Sequence, residues 1–185
     1  EDSVALMSPV YYPFANAIRD TSRTLVDVPL VKDENGYYTM DLENFEATVQ
    51  KKDVKLFILC SPHNPVGRVW REEELRNLLD VCRRNGVYVI ADEIHHDLIM
   101  PGHRQITAAT AGDYDSILIT LTSASKTFNL ASCQNAMAII PNDALRAKYD
   151  AMTRRIKTQS GSSFGYVAYE AAFRGGKEWL EQAIR

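Results

Sequence analysis

The amino-acid sequence predicts an α/β fold, a three-layer α/β/α arrangement around a mainly parallel sheet. Three observations predict it. Six apolar runs of strand length alternate with amphipathic helical stretches, which is the βαβ pattern. Most of the runs are continuous rather than alternating, as strands covered on both faces should be. The last link between strands, residues 126–135, is shorter than a parallel crossover needs, so the final strand is expected to be antiparallel.

Taken in order, residues 4–7 make the first run, and a helix starts at Pro13, a residue suited to a first helical position. The second run is 24–28. Asn35-Gly36, followed by Tyr37-Tyr38, predicts a short loop or hairpin. Asp41 is then an N-cap for a helix with Leu42, Phe45 and Val49 on one stripe. The third run is 55–60. A helix over 71–85 follows, with Leu75, Leu78, Leu79 and Cys82 at helical spacing and Gly86 at the C-terminal cap. Runs at 87–91, 116–120 and 136–140 complete the sheet. Beyond them, helices are expected at about 143–157 and from Phe164 onward.

A chain of 185 residues with 45% hydrophobic residues can bury a sizeable core as one domain. Its net charge of -3, without a run of Lys and Arg, argues against nucleic acid and anionic membranes as partners. No apolar run is long enough for a transmembrane helix. Cys60, Cys82 and Cys133 are odd in number and lie in apolar stretches, so they are expected to be reduced, buried thiols. With no secretory signal pattern at the start, the chain is expected to be cytoplasmic.

Open parallel sheets bind ligands outside the carboxyl ends of their strands. Three such ends are loaded with polar groups: Ser61-Pro62-His63-Asn64-Pro65-Val66-Gly67, Ala91-Asp92-Glu93-Ile94-His95-His96-Asp97, and Thr122-Ser123-Ala124-Ser125-Lys126-Thr127-Phe128. Together they set an amide, a carboxylate and an amine along one edge. A lysine directly after a strand is a candidate imine-forming nucleophile, because desolvation frees its lone pair. Each residue also has a plainer reading when taken alone. Lys126 would be a surface lysine, Asp92 a helix cap, Asn64 a turn residue before Pro65, and Tyr11 and Tyr12 core or interface aromatics. His63, His95, His96 and His103 invite a metal, but adjacent residues seldom aim at one ion, and no His-x3-His or Cys-x2-Cys spacing occurs; no metal is expected. Gly175-Gly176 reads as a helix break.

In this order and spacing, the three segments resemble the signature of fold type I pyridoxal 5'-phosphate (PLP) enzymes, the aspartate aminotransferase superfamily. The similarity extends to Ser8-Pro9-Val10-Tyr11-Tyr12-Pro13-Phe14 and to Thr158-Gln159-Ser160-Gly161. Within that superfamily, Asp92-Glu93-Ile94-His95, the double Tyr and Lys126-Thr127-Phe128-Asn129-Leu130-Ala131 look most like the cystathionine beta-lyase or carbon-sulfur lyase branch of the class I/II aminotransferases. The three segments together reverse the plain reading of Lys126.

The resemblance implies that Lys126 holds PLP as a Schiff base and later moves the substrate Cα proton. It gives Asp92 the ring nitrogen, Asn64 the ring 3-oxygen and Tyr11 the ring face. Ser123 and Ser125 match hydroxyls near the phosphate, and His95 stands where many members carry a tyrosine on the 3-oxygen. Gln134 occupies the place of a phosphate-binding arginine. The implied chemistry is β-elimination of a thiol from a sulfur amino acid, giving pyruvate and ammonia. The alternatives are transamination and a truncated or regulatory PLP-domain protein without catalysis. Residues 1–185 are expected to form an incomplete PLP-binding large domain, with a sheet core at 1–141 and C-terminal helices at 142–185. On this expectation the phosphate loop and small domain lie outside the chain, and the full-length protein is a homodimer acting on a small amino acid.

Overall fold

The computed structural model describes residues 2–185; Glu1, where the expected sheet core begins, lies outside the described residues. In chain order the elements are β1 (Ser3–Leu6), α1 (Pro13–Asp20), β2 (Thr24–Asp27), β3 (Val31–Lys32), β4 (Tyr38–Thr39), α2 (Leu42–Lys51), β5 (Val54–Cys60), α3 (Glu72–Arg84), β6 (Tyr88–Asp92), β7 (Leu118–Thr122), α4 (Ala124–Thr127), β8 (Met137–Ile139), α5 (Asp143–Arg155), α6 (Ser163–Gly175) and α7 (Lys177–Ile184).

The main sheet has the order β2-β1-β5-β6-β7-β8. Every pairing in it is parallel except β7 with β8, where Thr120 faces Ile139 in an antiparallel register. The reason is the one expected: between β7 and β8 there is room only for the single turn α4 and a 3-10 turn at Ala131–Cys133. β3 and β4 form a separate hairpin around Gly36, whose φ of 85° needs a residue without a Cβ.

Local chemistry explains the helices flanking this sheet. The Asp41 carboxylate accepts the Asn44 N–H at 3.0 Å and opens α2. α3 closes on Gly86, at φ 67°, with Gly86 N–H donating to the Arg83 carbonyl and Val87 N–H to the Cys82 carbonyl, a double closure that satisfies carbonyls the helix would otherwise leave open. Leu75, Leu78, Leu79, Val81 and Cys82 of α3 are buried with Phe45 and Val49 of α2 against Phe57, Leu59, Val89, Ala91 and Leu118 of the sheet. Across the sheet, Ile18 of α1 packs on Val4 and Leu6, with Leu56 and Ile58 partly covered. The alternation along β1 and β5 therefore sends one set of side chains to each helical layer.

Some expectations shift. β6 and β7 run later than the apolar runs suggested, because the pairing of Val89 with Leu118 sets their register and a turn at Tyr114–Ile117 precedes β7. Coverage of both faces, read from the continuous runs, holds fully for one face only; Leu56, Ile58, Ile90 and Ile119 stay half-buried on the other. Cys60 and Cys82 are buried free thiols, whereas Cys133 is half-buried, since it ends a short turn beside the exposed Ser132 and Gln134. Among the described residues no helix is long and apolar enough to cross a membrane.

Candidate active site

The strand order brings the three polar segments together. β5, β6 and β7 are adjacent and parallel, and Cys60 faces Asp92, which in turn faces Leu121. The segments that follow these strands therefore leave the sheet at the same edge. β1 lies on the other side of β5 in the same direction, which puts Tyr11 at that edge as well.

Asn64 sits on a tight turn. His63 N–H donates to the Arg68 carbonyl at 2.7 Å and Gly67 N–H to the His63 carbonyl at 2.8 Å; Gly67 takes a φ of 71°. The Asn64 N–H donates to the Cys60 sulfur at 3.4 Å. The turn reading of Asn64 holds, and the residue also lines the cavity beside it. Two further contacts hold this segment. His63 Nε2 lies 3.0 Å from the Pro9 carbonyl, linking it to the Tyr11 loop, and Trp70 Nε1–H donates to the Cys60 carbonyl at 2.9 Å. Burial pushes the His63 imidazole below its ordinary pKa and the Cys60 thiol up to about 11.

Asp92 ends β6, half-buried, with one carboxylate oxygen accepting the Ile94 N–H at 3.1 Å. Burial raises its pKa above the usual carboxylate value, against the opposing pull of that N–H and of the positive charges of His95 and Lys126. His95 is pushed down, first by burial and then by Lys126. The Lys126 ammonium is therefore near enough to act electrostatically on both groups. Lys126 lies within the one-turn helix α4, and its side chain is exposed.

The two serines differ. Ser123 is fully buried; its Oγ donates to the Asn135 carbonyl at 2.8 Å, touches the Tyr169 hydroxyl, and accepts the Ser125 N–H at 3.0 Å. The Ser123 hydroxyl thus caps α4 and bonds a carbonyl within the fold. Ser125 is buried with a hydroxyl that makes no hydrogen bond among the described residues. Tyr11 is exposed and packs edge-on against Phe14 at 5.6 Å between ring centroids; Tyr12 is more exposed still, so neither is a core aromatic. Gln134 is exposed in a left-handed conformation at φ 51°.

Beside Asn64 and His95 opens a cavity of about 600 Å³, walled also by Tyr37, Leu98, Met100 and His103. Sequence reasoning missed what shapes it. Arg68, buried, grips both oxygens of Glu74 at 2.8 and 2.7 Å and stacks between Tyr37 and Trp70, with 4.2 and 4.4 Å to the ring centroids. Glu93 is buried and accepts from the Thr107 hydroxyl at 2.6 Å and the Ala108 N–H at 2.7 Å. No spacing rule pairs residues this far apart. Among the described residues no three metal-binding side chains cluster.

The fold is shared with known proteins. The profile of the family described as aminotransferase class I and II matches residues 1–184. Cystathionine beta-lyase PatB of Bacillus subtilis is 39% identical over 184 residues, which is 99% of this chain and 47% of that protein. Cystalysin of Treponema denticola, whose crystal structure contains a pyridoxal 5'-phosphate cofactor, superposes with a TM-score of 0.92 at 36% identity, over 99% of this chain and 46% of that one. The PLP-bound C-S lyase of Staphylococcus hominis gives a TM-score of 0.92 at 35% identity, with the same coverage. The chain spans about half the length of the relatives it matches.

Proposed function

The chain belongs to the aminotransferase class I and II family, and from that premise we propose that it is the cofactor-binding large-domain part of a PLP-dependent carbon-sulfur β-lyase. The carrying observation is the convergence of an exposed amine, Lys126, with a half-buried carboxylate, Asp92, and imidazole, His95, at the carboxyl ends of adjacent parallel strands. The named lyases among its relatives support the same reading.

The donor set fits PLP at the ring end. Lys126 offers the amine for an aldehyde, Asp92 a carboxylate for a protonated ring nitrogen, Asn64 a carboxamide for the phenolic oxygen, and Tyr11 an exposed aromatic face. At the phosphate end, Ser125 has a free hydroxyl, and Gln134 stands where the family resemblance implies an arginine. When bound, PLP supplies an electron sink for charge developing at the substrate Cα.

The rest is the work of this chain's residues. With PLP bound, Lys126 would be the group that holds the aldehyde and, with its amine free, the general base for the substrate Cα proton. Asp92 would face the ring nitrogen and, when ionised, keep it protonated. Burial of Asp92 opposes ionisation, and a bound cation at the ring nitrogen would offset that penalty. His95 and Asn64 orient the phenolic side. The chemistry so supplied would be loss of the thiolate from Cβ with the C–S electron pair, and hydrolysis of the resulting enamine by water would give pyruvate and ammonia. A sulfur amino acid such as cystathionine or cysteine is the substrate class. The full-length protein is a cytoplasmic homodimer in this reading.

A second reading, transamination, uses the same Lys126 and Asp92 and differs in where the proton returns. A third is a PLP-domain regulator without catalysis. The experiment uses the full-length protein. Added PLP should give an absorption band at the visible edge that is lost in Lys126→Ala, and cysteine or cystathionine should then yield pyruvate and thiol in equal amounts. Conversion of the cofactor to its amine form without thiol release would favour transamination. Absence of the band in the unaltered protein would overturn all the PLP readings.

A further inference from the structure

The segment between β6 and β7 is pinned to the Lys126 turn by a chain of three side chains. His96 Nδ1 lies 2.8 Å from the Glu93 carbonyl oxygen and 3.0 Å from the Thr122 hydroxyl at the end of β7. The other ring nitrogen, Nε2, faces Oδ2 of Asp97 at 3.2 Å. The same carboxylate oxygen accepts the Thr127 hydroxyl at 3.1 Å. Thr127 is fully buried and directly follows Lys126, whereas His96 and Asp97 are only partly covered.

This bridge matters because α4 has four residues. One helical turn has too few internal hydrogen bonds to hold itself, so its position has to come from outside. At its start the Ser123 hydroxyl accepts the Ser125 N–H. At its end the one side-chain hydrogen bond among the described residues runs from Thr127 to Asp97. Lys126 reaches the site on a long flexible stem, and where that stem begins is set by α4. We propose that Asp97, oriented by His96, is a positioning residue for Lys126, acting through the Thr127 hydroxyl to hold the α4 turn against the β6 edge. The catalytic meaning of this role rests on Lys126 being the amine that receives the cofactor aldehyde.

Amide hydrogen exchange in the full-length protein without added cofactor tests the placement. The readout is the Phe128 and Leu130 amides, which donate to the Ala124 and Ser125 carbonyls. Thr127→Val keeps the shape and loses the hydroxyl; Thr127→Ser keeps the hydroxyl; Asp97→Ala removes the acceptor at a partly exposed site. Exchange should rise about tenfold in Thr127→Val and Asp97→Ala, as loss of one charge-assisted hydrogen bond implies, and stay near the unaltered rate in Thr127→Ser. The double variant should match either single one, and peptides from α3 should not change. Equal exchange in the Val and Ser variants, or acceleration shared with α3, overturns the proposal.

Trapping of PLP at Lys126 with borohydride, located by peptide mapping, separates this from the functional reading. Trapping should slow about tenfold in Thr127→Val and recover in Thr127→Ser. If the unaltered protein traps PLP at Lys126 and every variant does so equally, positioning fails and the PLP reading stands. If the unaltered protein traps none there, the PLP reading fails and exchange alone decides the positioning.

Discussion

The two faces of the central sheet carry similar side chains and have different surroundings. On one face Phe57, Leu59, Val89, Ala91 and Leu118 are fully buried beneath α2 and α3. On the other, Leu56, Ile58, Ile90 and Ile119, no less apolar, are half-buried, with α1 covering only the β1 end. The helices show the same contrast. α3 and α5 each have 13 residues and basic side chains in the last turn, yet α3 buries five residues and α5 none. Capping and propensity suffice to outline a helix, but burial decides how much that helix stabilises the fold.

The contrast is easiest to break in β5, where Phe57 and Ile58 are neighbours. Phe57→Ala should lower unfolding stability by about 3–5 kcal/mol, because it leaves a cavity in the packed layer. Ile58→Ala should cost about 1–2 kcal/mol on the half-covered face. Denaturant unfolding of both variants measures the difference, and equal losses would show that the second face is as well packed as the first.

Among the helices, Leu78→Ala in α3 should cost about 3 kcal/mol. Met152→Ala in α5, at a site already more than half exposed, should change stability by less than about 0.5 kcal/mol. Limited proteolysis sharpens the same point: cleavage should begin within α5–α7, and α2 and α3 should resist until the sheet unfolds.

Asp92 tests the sheet edge rather than its faces. Its pKa is raised in the folded chain, so the fold holds the proton more tightly than the unfolded state does. The resulting stability is present at low pH and declines as pH rises through the folded value. Asp92→Asn removes that decline. At neutral pH its melting temperature without cofactor should be a few degrees higher than that of the unaltered protein, while PLP binding weakens; a lower melting temperature would contradict the burial argument.

The smallest effect is chemical. Burial pushes the Cys60 and Cys82 thiols up to about 11 and about 12, so neither is a ready thiolate at neutral pH. Under native conditions alkylation should mark Cys133, half-buried in its turn, before either of them. Mass spectrometry of the alkylated peptides reads the order.

Much of this architecture is legible in the residues alone. The six strands, the antiparallel last pairing and the caps at Asp41 and Gly86 follow from local rules: period, link length, a carboxylate that meets an N–H, a residue free to take positive φ. The candidate site was legible in its parts, since Asn64, Asp92, His95 and Lys126 each stand just after or at the end of a strand. What brings them together is the β5-β6-β7 adjacency, a pairing between segments some thirty residues apart. The same holds for contacts that no local pattern encodes. Ser123 turns inward to Asn135, Arg68 stacks between Tyr37 and Trp70, Glu93 reaches Thr107, and Asp97 reaches Thr127. The sequence by itself determined which segments become strands and helices and which side chains stand at the strand ends, because those choices are made over a few residues. Only the tertiary structure decided which face is sealed and which hydroxyls remain free, because burial and hydrogen-bond partners arise when distant segments meet.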